Sequence, residues 1–247
     1  MTDTRGGFVA VIGAPNAGKS TLVNALVGQK VAIVSPKAQT TRARLMGIAI
    51  EGATQILLVD TPGIFEPRRR LDRAMVAAAW TGAQDADLIL LVIDASERLR
   101  DEVLEGLEAR EHPLFLVLNK IDLVKKEKLL ALSAELTERL NPDEVFMISA
   151  SQADGVPDLK QALAAAMPAG PWLYSEDEVS DATDRMIAAE LTREQIVNQL
   201  HQELPYATAV ETETWEERPD GSTAIRQQIL VERDSQKAIV IGKGGRR

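Results

Sequence analysis

Over the first two thirds of the chain, short apolar runs alternate with amphipathic stretches. The apolar runs have the length of buried strands, and they occupy residues 8–12, 45–50, 55–59, 88–93, 114–118 and 145–148. Helical patterns lie at residues 19–27, 71–83, 101–110, 125–140 and 157–167. The alternation predicts an α/β fold with a mostly parallel six-stranded sheet, covered by helices on both faces. One antiparallel strand is expected in the hairpin of residues 45–59.

The pattern changes after this region. Residues 168–171 read Pro-Ala-Gly-Pro, and an acidic stretch follows. Proline and glycine clusters break regular structure, so we expect a linker over residues 169–184. The linker would join a domain of residues 1–168 to a smaller domain of residues 185–247.

The smaller domain has a mixed pattern. Residues 185–204 show helical periodicity, which Pro205 would end. Strand patterns follow at residues 208–215 and 223–231, joined by a predicted turn at residues 218–221. We therefore expect a small α+β domain.

The composition narrows the class of protein. Of the 247 residues 45% are hydrophobic and none is cysteine, which excludes disulfides and thiolate metal sites. The formal net charge of −9 argues against non-specific binding to nucleic acid. The polar residues before position 8 are too few for a signal peptide, and no apolar run reaches the roughly 20 residues that cross a bilayer. We expect a cytoplasmic protein.

Residues 13–20 read Gly-Ala-Pro-Asn-Ala-Gly-Lys-Ser, the pattern of a phosphate-binding P-loop. Glycines let backbone N–H groups converge on phosphate oxygens at a helix N-terminus, and here a predicted strand precedes the block and a predicted helix follows it. Lys19 would reach the β- and γ-phosphates, and the Ser20 hydroxyl would ligate Mg²⁺. The predicted nucleotide-binding residues of this block are Gly13, Ala14, Pro15, Asn16, Ala17, Gly18, Lys19, Ser20 and Thr21.

A second block, Asp60-Thr61-Pro62-Gly63, ends the strand pattern of residues 55–59. Its carboxylate can hold Mg²⁺ through water, and the glycine N–H can sense a γ-phosphate. The polar residues 35–42 offer a threonine that would complete the Mg²⁺ shell, and Thr40 and Thr41 both remain candidates. The predicted metal ligands are Ser20, Thr41 and Asp60, and the predicted catalytic residues are Lys19, Thr41 and Gly63.

A third block, Asn119-Lys120-Ile121-Asp122, follows the fifth strand pattern and indicates which base is bound. The Asp122 carboxylate can accept both the N1–H and the exocyclic amine of guanine, whereas adenine presents a bare acceptor there. Such a site can reject the wrong base by on the order of 10⁴-fold. Asn119 would support the base, the Lys120 stem would cover the ring, and the loop of Ser149, Ala150 and Ser151 would donate a backbone N–H. Together the blocks predict a GTP- and GDP-binding protein.

In this order and wording, the blocks resemble GTPases of the Era/TrmE/Der group. Residues 231–237 and the Gly-Lys-Gly-Gly block after them are similar to the Era family of ribosome-assembly GTPases, and this likeness runs from about residue 8 to residue 247. The resemblance implies a switch in small-subunit assembly whose partners are the 16S ribosomal RNA and the 30S subunit. It also implies a monomer in the cytoplasm that visits the inner face of the cell membrane peripherally.

The same resemblance implies a type II KH domain, which clamps about four nucleotides of single-stranded RNA with a G-x-x-G loop. The loop residues would be Gly242, Lys243, Gly244 and Gly245. Era-family proteins continue with a helix, a strand and a final helix, whereas this sequence stops two residues later, so the domain is expected to be incomplete. Residues 171–247 hold nine Lys and Arg against fifteen Asp and Glu, a balance of −6 that opposes RNA binding.

Two positions bear on hydrolysis. Signalling GTPases place a water-orienting glutamine directly after the Asp-x-x-Gly block, and this chain has Ile64 there. We therefore expect slow hydrolysis that depends on electrostatic stabilisation by Lys19, Mg²⁺ and P-loop amides. Asn16 stands where related GTPases use an asparagine to bind potassium, so the resemblance adds K⁺ as a candidate cofactor.

Two other functions fit parts of the sequence. One is a nucleotide-gated RNA-binding scaffold in which hydrolysis is incidental. The other is a Der- or TrmE-like GTPase role in ribosome or tRNA biology, which fits the first domain but not the Gly-Lys-Gly-Gly block.

Overall fold

The computed structural model describes residues 4–35, 45–60, 85–97, 104, 107, 110–200, 204–242 and 244. The strands in these ranges are β1 (Arg5–Ile12), β2 (Leu45–Glu51), β3 (Thr54–Asp60), β4 (Leu88–Asp94), β5 (Leu114–Asn119), β6 (Glu144–Met147), β7 (Thr208–Glu217) and β8 (Thr223–Val231). The helices are α1 (Lys19–Val27), α2 (Lys126–Leu140), α3 (Val156–Ala166), α4 (Asp184–Gln199) and α5 (Asp234–Ile241). The helices predicted at residues 71–83 and 101–110 fall wholly or mostly outside the described residues.

The first six strands form one sheet in the order β2-β3-β1-β4-β5-β6. β1 lies between β3 and β4 and is parallel to both, and parallel pairing continues through β5 to β6. β2 is antiparallel to β3, as its hairpin predicts. The predicted six-stranded, mostly parallel sheet is thus confirmed. Its strand order changes direction at β1, which opens a crevice at the carboxyl ends of the strands.

Alternate residues of each strand enter two different apolar layers. Val9 and Val11 pack with α1 and α3, whereas Ala10 and Ile12 pack with α2 on the other face. β3, β4 and β5 are buried along their whole length, as is typical of strands in a parallel sheet that is covered on both faces. Truncating one such side chain, for example Leu58→Ala, is expected to cost about 2–5 kcal/mol.

The chain divides into two compact units, and the first of them ends at Asp181. Residues 168–174 are hydrogen-bonded to β1 and β3 within this unit. Gly6 N–H donates to the Pro168 carbonyl (3.1 Å). The buried Gln55 amide donates to the carbonyl of Tyr174 (2.9 Å) and accepts from the N–H groups of Leu173 and Tyr174 (2.9 and 3.1 Å).

Residues 179–181 lie against the edge strand β2. Ile48 N–H donates to the Val179 carbonyl, and the Ser180 hydroxyl donates to the Met46 carbonyl. Met46 N–H in turn donates to the Asp181 carboxylate. The functional boundary at residue 168 stays a prediction, because the structure shows only that these residues pack with the first unit.

The second unit contains residues 33–35 and the described residues from 182 onward. β7 and β8 form an antiparallel pair, and α4 packs on β7. The hydroxyl of Thr192 on α4 donates to Gln227 on β8 (2.6 Å), whose amide donates to Thr212 on β7 (3.1 Å). Val34 N–H donates to the carboxylate of Glu194 on α4 (2.9 Å).

Two elements of this unit differ from expectation. The helix predicted to end at residue 204 ends at Gln199, because Leu200 is buried with an extended backbone (φ −93°, ψ 155°). The sequence pattern does not predict helix α5. Its apolar residues form a short continuous run near residue 241 and show no helical periodicity. The Gln236 side chain accepts from Arg233 N–H at its start, and Gly242 with φ 71° ends it.

The turn between β7 and β8 is where the sequence predicts it. Gly221 N–H donates to the Arg218 carbonyl, and Gly221 has φ 82°. Within the described ranges, no helix is long and apolar enough to cross a membrane.

Candidate nucleotide-binding site

The predicted site residues follow the carboxyl ends of parallel strands, at one edge of the sheet. Gly13 comes after β1, Asp60 ends β3, Asn119 ends β5, and Ser149 lies just beyond β6. Parallel strands bring these ends together beside the point where the strand order reverses, where α/β proteins bind their ligands.

The P-loop backbone needs glycine at two positions. Gly13 has φ 150°, and a Cβ there would lie 2.2 Å from the Val92 carbonyl oxygen. Gly18 has φ 95°, and a Cβ there would lie 2.2 Å from Nδ2 of Asn119. The glycines therefore let the loop pass against β4 and against the Asn119 side chain before α1 begins at Lys19.

The whole P-loop block lies within the described residues. Gly13, Ala17 and Lys19 are buried, Asn16 is exposed with φ 64°, and the half-buried residues are Ala14, Pro15, Gly18, Ser20 and Thr21.

Lys19 supplies a buried cation to this loop. Its ammonium donates to the carbonyls of Gly13 (3.1 Å) and Ala14 (3.0 Å). Burial lowers the pKa of Lys19 to about 8, although the nearby Asp60 charge acts to raise it. The carbonyls hold the ammonium inside the loop, where anionic oxygens at the helix N-terminus would be better partners.

Ser20 and Asp60 form the candidate metal-binding pair. The Ser20 hydroxyl donates to Oδ2 of Asp60 at 2.7 Å, and Asp60 is fully buried. Mg²⁺ is bound through hard oxygen ligands, commonly one or two protein groups together with phosphate oxygens and water. The pair therefore fits the ion that the sequence predicts.

Asn119 joins three loops of the site. Its Nδ2 donates to the Ala17 carbonyl of the P-loop (2.9 Å), and its Oδ1 accepts from Ala150 N–H (3.0 Å). The side chain is 2% exposed, so both hydrogen bonds are shielded from water. Asn119 therefore connects the P-loop with the Ser149–Ala150–Ser151 loop, and its support of the base stays a prediction.

The other residues that the sequence predicts to contact the base lie in the same loops as Asn119 or next to them. Lys120 has a left-handed backbone (φ 62°, ψ 38°), and Asp122 is exposed in a short 3-10 turn formed by Ile121–Leu123. Ser149 is buried, Ser151 is exposed, and their hydroxyl oxygens are 3.3 Å apart. The structure brings all three loops together.

Several predicted residues fall outside the described part of the chain. In the nucleotide site these are Thr40, Thr41, Thr61, Pro62 and Gly63, and in the glycine-rich loop they are Lys243 and Gly245. Gly242 and Gly244 are described, with φ 71° and 68°.

One residue of the site was not found from the sequence. Asp94 ends β4 at the same edge of the sheet and forms an ion pair with Lys120, with Nζ and Oδ2 2.6 Å apart. The sequence offers one signal for Asp94: it follows a predicted strand whose carboxyl end lies at the same edge of the sheet as the other blocks.

Comparison with known proteins shows the family of this chain. The family model described as 50S ribosome-binding GTPase matches residues 8–120, and the KH domain model matches residues 203–247. GTPase Era of Afipia carboxidovorans is 62% identical over 245 residues, which cover 98% of this chain and 80% of that protein. The chain belongs to the Era family of GTPases.

Solved Era structures also match. A crystal structure of Era with MgGDPNP and nucleotides 1506–1542 of 16S ribosomal RNA superposes with a TM-score of 0.90 and 36% identity. The match covers 99% of this chain and 84% of that one. A variant of Aquifex aeolicus Era bound to GDP·AlF₄⁻ gives the same TM-score and identity, with 99% and 85% covered. The predicted α/β fold and the GTPase class are confirmed.

Proposed function

We propose that this chain is a GTP-operated switch that hydrolyses GTP slowly and acts in small ribosomal subunit assembly through its C-terminal domain. The observation that carries the proposal is the brace formed by Asn119. It connects the phosphate-binding loop with the two loops that would contact the base. That connection supports a single site for both ends of a guanine nucleotide.

At the phosphate end, Lys19 would exchange its two carbonyl partners for oxygens of the β- and γ-phosphates. Ser20 and Asp60 would hold Mg²⁺, with Thr41 or Thr40 as a further ligand when the γ-phosphate is present. When bound, Mg²⁺ neutralises negative charge on the phosphates. The described support is the buried Lys19 ammonium and the Ser20–Asp60 hydrogen bond.

At the base end, Asp122 would accept the two donors of guanine. Its exposure leaves the carboxylate accessible to a ligand, while Asn119 beside it is fixed by hydrogen bonds. Ala150 lies in the loop whose backbone would face the guanine carbonyl. Guanine selectivity would therefore come from one accessible carboxylate on a rigid frame.

Catalysis would depend on Lys19, Thr41 and Gly63, without a glutamine to orient water. We propose K⁺ as an additional cation, bound through Asn16. Asn16 is exposed at the tip of the P-loop in a left-handed conformation. A cation there would add positive charge near the phosphates, and slow hydrolysis is the expected result when such charge is missing.

In K⁺ buffer, hydrolysis should be at least several-fold faster than in Na⁺ buffer of equal ionic strength, because a bound cation stabilises transition-state charge. Phosphate release under single-turnover conditions measures both rates. Asn16→Ala should hydrolyse GTP at the same low rate in either salt. Equal wild-type rates in the two buffers would rule out the potassium site.

For the C-terminal domain, residues 185–247, we propose RNA binding through Gly242, Lys243, Gly244 and Gly245. The Era structure solved with a 16S ribosomal RNA segment supports this partner. Positive φ angles at Gly242 and Gly244 permit close approach of backbone to phosphate. The 30S subunit would then be the assembly on which the switch acts, with residues 1–168 as the nucleotide-binding domain and residues 169–184 as the linker.

We further propose a cytoplasmic monomer that contacts the inner face of the cell membrane only peripherally. The family resemblance supports this location, and the net charge of −9 would keep attraction to anionic lipid weak. Co-sedimentation with anionic vesicles tests the contact, and light scattering tests the oligomeric state.

The decisive experiment measures GTP, GDP and ATP binding by wild type, Asp122→Asn and the control Asp177→Asn. The new amide opposes the guanine donors, so guanine preference should fall by on the order of 10³-fold or more. Asp177 is an exposed carboxylate far along the sequence, and its variant should bind like wild type. Equal binding of ATP and GTP by wild type would overturn the base-reading proposal.

A further inference from the structure

Asp94 is a buried carboxylate at the nucleotide site that none of the sequence motifs includes. It is 7% exposed, ends β4, and pairs in register with Asn119 on β5. One carboxylate oxygen, Oδ1, accepts from the backbone N–H (2.8 Å) and hydroxyl (2.5 Å) of Ser96. The other, Oδ2, accepts from Nζ of Lys120 (2.6 Å). The two carboxylate oxygens of Asp94 therefore have different hydrogen-bond partners.

The electrostatics keep this carboxylate charged. Burial acts to raise the pKa of Asp94, but hydrogen bonds from Lys120 and Ser96 outweigh it, and the pKa lies below its ordinary value. At neutral pH the contact with Lys120 is an ion pair, and the Asp94 side chain is only 6% exposed. Because Asp94 is buried, solvent screens the attraction between Asp94 and Lys120 only weakly.

The pair fixes a side chain that is otherwise flexible. Lys120 carries its ammonium on a four-carbon stem, and its own backbone is in the left-handed region. With Nζ held by Asp94, the stem is fixed at both ends, and 31% of the side chain stays exposed. An apolar stem that is already ordered loses less conformational freedom when a ring stacks on it.

We propose that Asp94 is a positioning residue, which holds the Lys120 stem where it covers the guanine ring and thereby slows nucleotide release. This inference rests on the proposed base-reading role of the Asn119–Asp122 block. Differences in binding between closely related sites appear mainly in the dissociation rate, so that rate is the quantity to measure.

Asp94→Asn is the first test variant. Its amide oxygen can still accept from Ser96, but its NH₂ group faces the Lys120 ammonium and cannot accept from it, so both the hydrogen bond and the ion pair with Lys120 are lost. Dissociation of fluorescently labelled GDP should become on the order of tenfold faster. The control is Asp87→Asn, the same change at the opposite end of β4, where the carboxylate accepts from Phe8 N–H. The control should release GDP at the wild-type rate.

A double-mutant cycle separates positioning from general destabilisation. Lys120→Met keeps an unbranched apolar stem and removes the ammonium, so it should also speed GDP release by about tenfold. Adding Asp94→Asn to Lys120→Met should then change the rate by less than about twofold. Wild-type release by Lys120→Met, or multiplicative effects in the double variant, would overturn the inference. Lys120→Met tests the pair even if Asp94→Asn folds poorly.

The same preparations distinguish this inference from the proposed function. Asp94→Asn should keep its preference for GDP over ADP, because Asp122 is unchanged. If wild type shows no such preference, the base-reading proposal fails. If wild type shows it and either Asp94→Asn or Lys120→Met releases GDP at the wild-type rate, the positioning inference alone fails.

Discussion

At the scale of single residues, the P-loop places the amine of Lys19 where water is nearly excluded. Lys19 is 6% exposed, and its partners are carbonyl oxygens of its own loop. Burial removes the ammonium from water and lowers the pKa of Lys19 to about 8, although the nearby Asp60 charge acts to raise it. Nucleotide binding should change its protonation.

Bound phosphates favour the ammonium, so nucleotide binding raises the pKa of Lys19. Above about pH 8 binding should therefore take up a proton, and GDP affinity should decrease as the pH rises. Calorimetry in two buffers of different ionisation enthalpy should show uptake approaching one proton near pH 9, but little near pH 7. Equal uptake at both pH values would contradict the lowered pKa.

The same group affects stability without nucleotide. Between about pH 8 and pH 10 the unfolded chain holds more protons on this lysine than the folded chain does. The free energy of unfolding should therefore increase as the pH rises from about 8 to about 10, because the folded chain loses the proton on Lys19 first.

Gly18 and Gly28 offer a matched comparison of space and backbone strain. Both have positive φ angles (95° and 82°), but only a Cβ on Gly18 would meet another atom, Nδ2 of Asn119. Gly28→Ala should cost about 1–2 kcal/mol of stability and leave GDP affinity unchanged. Gly18→Ala should also lower GDP affinity by roughly tenfold or more, because it displaces the brace between the loops.

Urea unfolding and nucleotide titration of the two variants check this difference. Similar losses of affinity in both would mean that the Gly18–Asn119 contact does not shape the site.

The residues of the site were predictable to different degrees. Lys19, Ser20 and Asn119 lie in short contiguous motifs, so the neighbouring residues in the sequence are enough to predict their roles. Asp94 was not predictable in the same way, because its pairing with Lys120 requires the register between β4 and β5. The same holds for the contact between Asn119 and Ala17, which are 102 positions apart.

At the scale of elements, the strands of the sheet were predictable because burial on both faces produces continuous apolar runs. β1, β3, β4 and β5 extend only one to three residues beyond their predicted bounds. α5 is not predicted because its apolar side chains come together at one end. Its start and stop depend on a side-chain hydrogen bond and a glycine conformation instead.

Gln55 controls how residues 173–174 attach to the sheet. Gln55→Ala removes three hydrogen bonds to backbone groups and should destabilise the first unit by about 2–3 kcal/mol. Gln161→Ala, an exposed change on α3, should stay within about 0.5 kcal/mol of wild type. Urea unfolding gives both values, and limited proteolysis should cut residues 169–181 faster in Gln55→Ala. Equal stability of the two variants would show that the attachment contributes little.

At the scale of the whole molecule, the sequence predicted two domains from a change of pattern at residues 168–171. It could not show that residues 169–181 pack along the first unit, because hydrogen bonds from Gln55 and β2 to that stretch leave no periodic pattern. Nor could it show that residues 33–35 belong with α4, since that depends on contacts between distant parts of the sequence, such as the one between Val34 and Glu194.

That contact has a consequence for how such a protein can be rearranged in evolution. The second unit is not one continuous piece of sequence, because residues 33–35 stand between α1 and β2. A gene fusion that transferred only residues 182–247 would leave behind the Val34 amide that the buried Glu194 accepts from. Recombination can therefore move this unit with that contact intact only if the stretch after α1 moves together with residues 182–247.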